Sequence, residues 1–209
     1  MPKLRKPFKK IMKFSNTYKN WPIVTCVLIA ICVVVFIIQT QVPDSVWIKY
    51  AFVPANALSK PWTFITFIFL HGSLDHLILN MTGFAFFGYY VETAIGRKGI
   101  LTVFLLAGVL SSLGATLTAT STTASLGASG AITGVLGFLA VIKPDYPVRY
   151  FLFPLVYRPA IVAAVSWGII DLFFQFTSPG TIAYGGHLAG LMAGGLFGAL
   201  WRFSTKSKK

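Results

Sequence analysis

From Gly99 to Ile142 the chain carries no charged residue. About 20 apolar residues suffice to cross a bilayer, so this run alone holds material for two crossings. Over the whole chain of 209 residues, 56% are hydrophobic and 11% charged, with a mean hydropathy of +0.74. Soluble domains carry about 25% charged residues. The sequence therefore predicts an integral, multi-pass membrane protein of the all-α class, a bundle of six transmembrane helices with no room for a second domain.

The first crossing is "WPIVTCVLIAICVVVFIIQT", between Lys19 and Asp44, too long for a signal peptide and without its small-residue cleavage pattern. The next segment is apolar but broken by Pro54 and Pro61 and reads as a partly embedded loop. A second crossing runs from about Leu74 to Val91, and Arg97 and Lys98 close a polar turn into the third. The fourth begins near Ser129 and ends before Lys143, where "KPDYPVRYFLFPLVYRP" reads as a charged, proline-rich connection. "AIVAAVSWGIIDLFFQF" and "GGHLAGLMAGGLFGALW" are the fifth and sixth, split by the turn signal Ser178-Pro179-Gly180. The membrane domain is thus 21–203, between basic tails over 1–20 and 204–209.

Basic residues orient the bundle, because short cytoplasmic loops carry the Lys/Arg excess. With both termini cytoplasmic, only Lys49 and Lys60 fall outside. The net charge of +13 then serves anionic lipid headgroups, at about 1 kcal/mol per nearby basic residue, and not nucleic acid. Cys26 and Cys32 do not share a helical face, so neither a disulfide nor a metal pair is indicated.

The rare polar residues carry the chemistry. All three histidines lie in or beside crossings: His71 and His76 in "HGSLDHLILN" and His187 in "GGHLAG". Ionisable groups in a membrane are costly and point to function. In the six-span topology the second, fourth and sixth crossings all start on the outer side. That brings His76, Ser129 and His187 to one depth, with Asn80 one turn below His76. A serine made nucleophilic by a histidine, beside side-chain donors, is an acyl-transfer constellation. Ser129 is the candidate nucleophile and His187 the base that later returns the proton to the leaving amine. His76, Asn80 and the Ser129 backbone N–H are the candidate oxyanion donors. Gly127 and Gly130 let the chain turn sharply around Ser129. Gly186, Gly190, Gly194 and Gly198 give the last crossing a small face for close approach to Gly130 and Gly134. Asp75 reads as the cap of the second helix. Asp171, in mid-crossing, faces either a functional site or a polar interior pocket and is placed outside the active site.

These residues resemble those of the rhomboid intramembrane serine proteases: "GASG" around Ser129, "GHLAGLMAG" from Gly186, and the order His71, His76, Asn80. Trp62, Glu92 and Gly96 add to the likeness, which covers about Pro61 to Leu200. The resemblance implies cleavage of transmembrane protein substrates near the outer surface by a Ser-His dyad, without metal or cofactor. It also implies a small residue before the cleaved bond and a structural hydrogen bond from His71 that shapes the first loop. Two positions depart from the family's common pattern. Thr63 follows Trp62 where an arginine is frequent, and Thr133 stands where an aromatic ring often packs on the catalytic histidine.

Inactive rhomboid relatives that bind membrane clients are expected to lack the serine or the histidine, and both are here. A metal transporter could use three histidines. No HExxH motif or Asp-rich helix accompanies them. The short chain favours a prokaryotic cell membrane.

Overall fold

A computed structural model describes residues 21–118, 120–150, 153–178 and 183–206. The expected basic tail over 1–20, Pro179 and Gly180 of the turn signal, and residues 207–209 lie outside these. Five helices build the body: α1 (Ile23–Gln41), α2 (Leu74–Thr118), α3 (Ser129–Ile142), α4 (Ala160–Thr177) and α5 (Tyr184–Lys206). Three of them, α1, α2 and α4, are long and apolar enough to cross a membrane. The helix α2 is bent at Gly96, whose φ of 80° and ψ of 175° interrupt the helical backbone. The turn expected at Arg97 and Lys98 therefore falls one residue earlier, on the residue type that tolerates positive φ. Both basic residues already belong to the second arm of α2.

Prolines explain several ends. The helix α1 starts after Pro22 and stops at Gln41, two residues before Pro43, and α4 starts after Pro159. At α2 the capping residue differs from expectation. Ser73, not Asp75, caps the helix, its Oγ accepting the His76 N–H at 3.2 Å. Asp75 lies in the first turn, where its charge still favours the helix dipole.

The fold is mostly helical, and one connection is more regular than expected. Part of the proline-rich connection forms an antiparallel hairpin, β1 (Pro147–Tyr150) with β2 (Phe153–Pro159), in which Pro147 pairs with Pro159. In a two-stranded hairpin both strands are edges, so prolines can face away from the ladder.

The apolar outer faces, among them Ile37, Ile169, Phe173 and Met192, are exposed, as lipid-facing surfaces are. The core, from Phe52 and Ile68 through Phe84, Phe104, Val135 and Phe138, lies where the two arms of α2 meet α3. The small face of α5 packs directly on α3. A Cβ at Gly190 or Gly194 would overlap the carbonyl oxygen of Gly130 or Gly134. The loop between α1 and α2 is a series of single-turn helices with Phe52, Phe67, Ile68 and Leu70 buried, while Leu58 is exposed.

The helix α1 is attached at two polar points. At its start Glu92 accepts the Val24 N–H at 3.0 Å, the Thr25 N–H at 2.8 Å and the Thr25 hydroxyl at 2.7 Å. The first N–H groups of a helix have no intrahelical partner, and Glu92 supplies one from across the bundle. Glu92→Ala orphans these donors at about 1 to 3 kcal/mol each, so the unfolding free energy is expected to fall by about 3 kcal/mol. Reversible unfolding in mixed micelles measures this. A loss under about 1 kcal/mol would show that Glu92 does not hold α1.

Candidate active site

The helix α3 has 14 residues, about 21 Å at 1.5 Å each, against a hydrocarbon core of about 30 Å. It is too short to cross such a core from end to end, and Ser129 is its first residue. Irregular backbone inside a membrane protein survives only where its polar groups are paired. The approach to Ser129 meets that condition. Phe52 and Ser125 exchange backbone hydrogen bonds at 2.9 and 2.7 Å, and the Gly127 N–H donates to Phe67 O at 2.9 Å. Gly127 has φ of +119°, and a Cβ there would come within 2.8 Å of His76 Nε2. Glycine is thus required twice, by the backbone and by the imidazole above it.

Ser129 Oγ and His187 Nε2 lie 2.8 Å apart, within hydrogen-bond reach across α3 and α5. His187 Nδ1 lies 3.2 Å from Asp171 Oδ1 on α4. His187 and Asp171 are both buried. The acid placed outside the site on sequence grounds therefore borders its histidine. The Thr133 hydroxyl shares its hydrogen between the carbonyl oxygens of Gly130 and His187, each at 3.0 Å, and so ties the His187 backbone to α3. The ring of Tyr184, one turn earlier on α5, stands edge-on to His187 at 6.3 Å.

His76 and Asn80 border the same backbone. His76 packs over Gly127, and Asn80 Nδ2 would lie 3.9 Å from a Cβ at that glycine. Asn80 Nδ2 donates one hydrogen to His76 O at 2.9 Å, which leaves its second amide hydrogen for another acceptor. Ser129 opens α3, so its N–H belongs to the unpaired first turn. The candidate oxyanion donors thus gather at one helix start.

His71 is almost fully buried beside them, its ring 5.1 Å from that of His76. Its ties to α1 are made by its backbone. Gln39 of α1 accepts the His71 N–H at 3.1 Å and donates to its carbonyl at 3.3 Å. A Cβ at Gly190 would meet the Gly130 carbonyl of α3, whereas one at Gly186 would face the Ser111 carbonyl of α2. Thr63 turns inward, its hydroxyl donating to Lys60 O at 2.7 Å, while Trp62 is half exposed. Among the described residues no group of three or more His, Cys, Asp or Glu side chains could hold a metal.

A family model of the rhomboid domain matches residues 58–203. The chain belongs to the rhomboid family. It is similar to the rhomboid protease GlpG of Salmonella paratyphi A, 27% identical over 174 residues, which covers 82% of this chain and 60% of that protein. It is also similar to the mitochondrial rhomboid protein 1 of Saccharomyces cerevisiae, 30% identical over 168 residues, covering 77% of this chain and 47% of the relative. The chain spans about half to three-fifths of the length of these relatives. Rhomboid membership and the apolar helices make it an integral membrane protein with protease relatives.

Of the residues around this site, sequence reasoning missed Ser73, Gln39 and the contact between Asp171 and His187. The available signal was Asp171 itself, an acidic residue within an apolar run. The capping serine had one too, since Ser73 precedes a periodic apolar segment.

Proposed function

We propose that the chain is an intramembrane serine endopeptidase that hydrolyses peptide bonds in or near transmembrane segments of membrane-protein substrates, without a cofactor. The observation that carries this reading is the 2.8 Å contact between Ser129 Oγ and His187 Nε2 at the start of α3. Ser129 Oγ attacks the scissile carbonyl carbon as His187 Nε2 takes its proton. The developing oxyanion meets the Ser129 N–H, His76 and the free amide hydrogen of Asn80. His187 then protonates the leaving amine, and a water activated by the same nitrogen hydrolyses the acyl-serine ester.

In this reading the two arms of α2 are separate spans, which makes six with α1, α3, α4 and α5. Arg202 donates to Val141 O at 3.1 Å, at the end of α3 opposite Ser129. Arg97, Lys98 and Lys143 share that end, so both termini are cytoplasmic and the site opens to the outer face. The bound partners in this reading are lipid and transmembrane substrates.

Labelling with a serine-directed fluorophosphonate tests the assignment. Purified wild type is expected to label, and Ser129→Ala and His187→Ala are expected not to. Equal labelling of all three, or none of a folded wild type, would refute it.

A further inference from the structure

We propose that Asp171 is a positioning residue that sets the tautomer of His187, so that the site works as a three-helix Ser-His-Asp relay and not as a dyad. This rests on the hydrolase reading above. A neutral imidazole has one donor and one acceptor nitrogen, and the hydrogen bond at one decides the state of the other. An ionised carboxylate only accepts. With Asp171 Oδ1 at 3.2 Å from Nδ1, the proton of His187 belongs on Nδ1. Nε2 then presents its lone pair to the Ser129 hydroxyl at 2.8 Å, as a general base requires. When Nε2 takes the serine proton, the imidazolium lies against a carboxylate in a water-poor interior, where opposite charges attract strongly.

The surroundings of Asp171 favour this role. The residue is 4% exposed, and its Oδ2 is buried with no hydrogen-bond partner among the described residues. A buried acid in a membrane bundle is costly to keep, and the hydrogen bond of Asp171 goes to the imidazole. His187 is held on two sides. Thr133 fixes its backbone carbonyl from α3 and Asp171 fixes its ring from α4. The two holds are independent, because neither partner touches the atom the other uses. Gln175, one turn beyond Asp171, accepts the Gly185 N–H at 3.0 Å and so clamps the start of α5 to α4 near the same contact.

The test is Asp171→Asn, close to isosteric, with Ser129→Ala as control. An asparagine amide can turn its NH₂ toward Nδ1, which moves the ring proton to Nε2 and removes the base. For a transmembrane substrate, kcat is expected to fall about 100-fold or more while KM stays within about twofold. Histidine-selective ¹⁵N labelling gives a second readout, because the chain has only 3 histidines. His187 is expected in the Nδ1–H form in wild type and in Ser129→Ala, and in the Nε2–H or a mixed form in Asp171→Asn. An unchanged kcat, a loss confined to KM, or an Nε2–H ring in wild type would overturn the proposal. If Asp171→Asn does not fold, the wild-type tautomer decides alone. Cleavage by Ser129→Ala at the wild-type rate would instead refute the hydrolase reading and leave the tautomer result standing.

Discussion

Ser129→Ala is expected to lower kcat for a transmembrane substrate by about 10⁴-fold or more, and the Ser129→Ala/His187→Ala double variant is expected to be no slower than either single one. The reason is that the two side chains perform one operation. Without the hydroxyl, His187 has no proton to take; without the imidazole, the hydroxyl is a poor nucleophile. Independent contributions would multiply, whereas a shared step can be lost only once. Both variants keep the small-residue packing of α3 on α5, because neither Ser129 Oγ nor the imidazole lies between the glycine faces. Initial rates in liposomes, with unfolding curves for each variant, settle the matter. A double variant slower than both singles by the product of their losses would show that the residues act separately, and an active Ser129→Ala would remove the nucleophile assignment.

The second large effect is structural. Gly190→Leu is expected to cost more than about 3 kcal/mol and to abolish fluorophosphonate labelling. A Cβ at Gly190 overlaps the carbonyl oxygen of Gly130, and backbone cannot swing aside as a side chain does. Relief requires α5 to back away from α3. His187 lies one turn from Gly190 and Ser129 adjoins Gly130, so the retreat opens the Ser129–His187 contact, and a displacement near 1 Å can cost about 100-fold in rate. Gly195→Ala is the control, since the nearest atom to its Cβ, Val141 Cγ2, is at 3.9 Å. Its cost is expected to stay under about 1 kcal/mol. Thermal unfolding and labelling of both variants measure the contrast. A folded, labelling-competent Gly190→Leu would show that the two helices are not locked by close approach.

The residues that were legible in the sequence are those whose chemistry clashes with their surroundings. Ser129 and His187 stand out as polar groups in apolar runs, and the four-residue glycine spacing of α5 announced a close partner. The limits have physical causes. Periodicity assigns a residue to a face of its own helix but not to a neighbour, so Asp171 could be read as buried without being assigned to His187. The hairpin was hidden by Pro147 and Pro159, which read as loop until they are seen paired at the ends of a two-stranded ladder. Ser73 and Asp75 both fit the start of α2, and only the His76 N–H geometry separates them. His71 is tied to Gln39 of α1 through its amide and carbonyl, contacts that no side-chain pattern reveals.

The anchoring of α1 has a consequence for where its tilt is decided. Thr25 at one end is tied to Glu92 and Gln39 at the other to the backbone of His71, while Leu28 and Cys32 are the other buried residues of the helix. The helix is a beam pinned at both ends. Between the pins Leu28 and Cys32 face the core, and the outward positions need only be apolar. The helix α1 lies outside the segment matched by the rhomboid domain, yet it is fixed to that segment at both ends. The tilt of this helix is thus set by Glu92 and the His71 backbone, outside the helix itself.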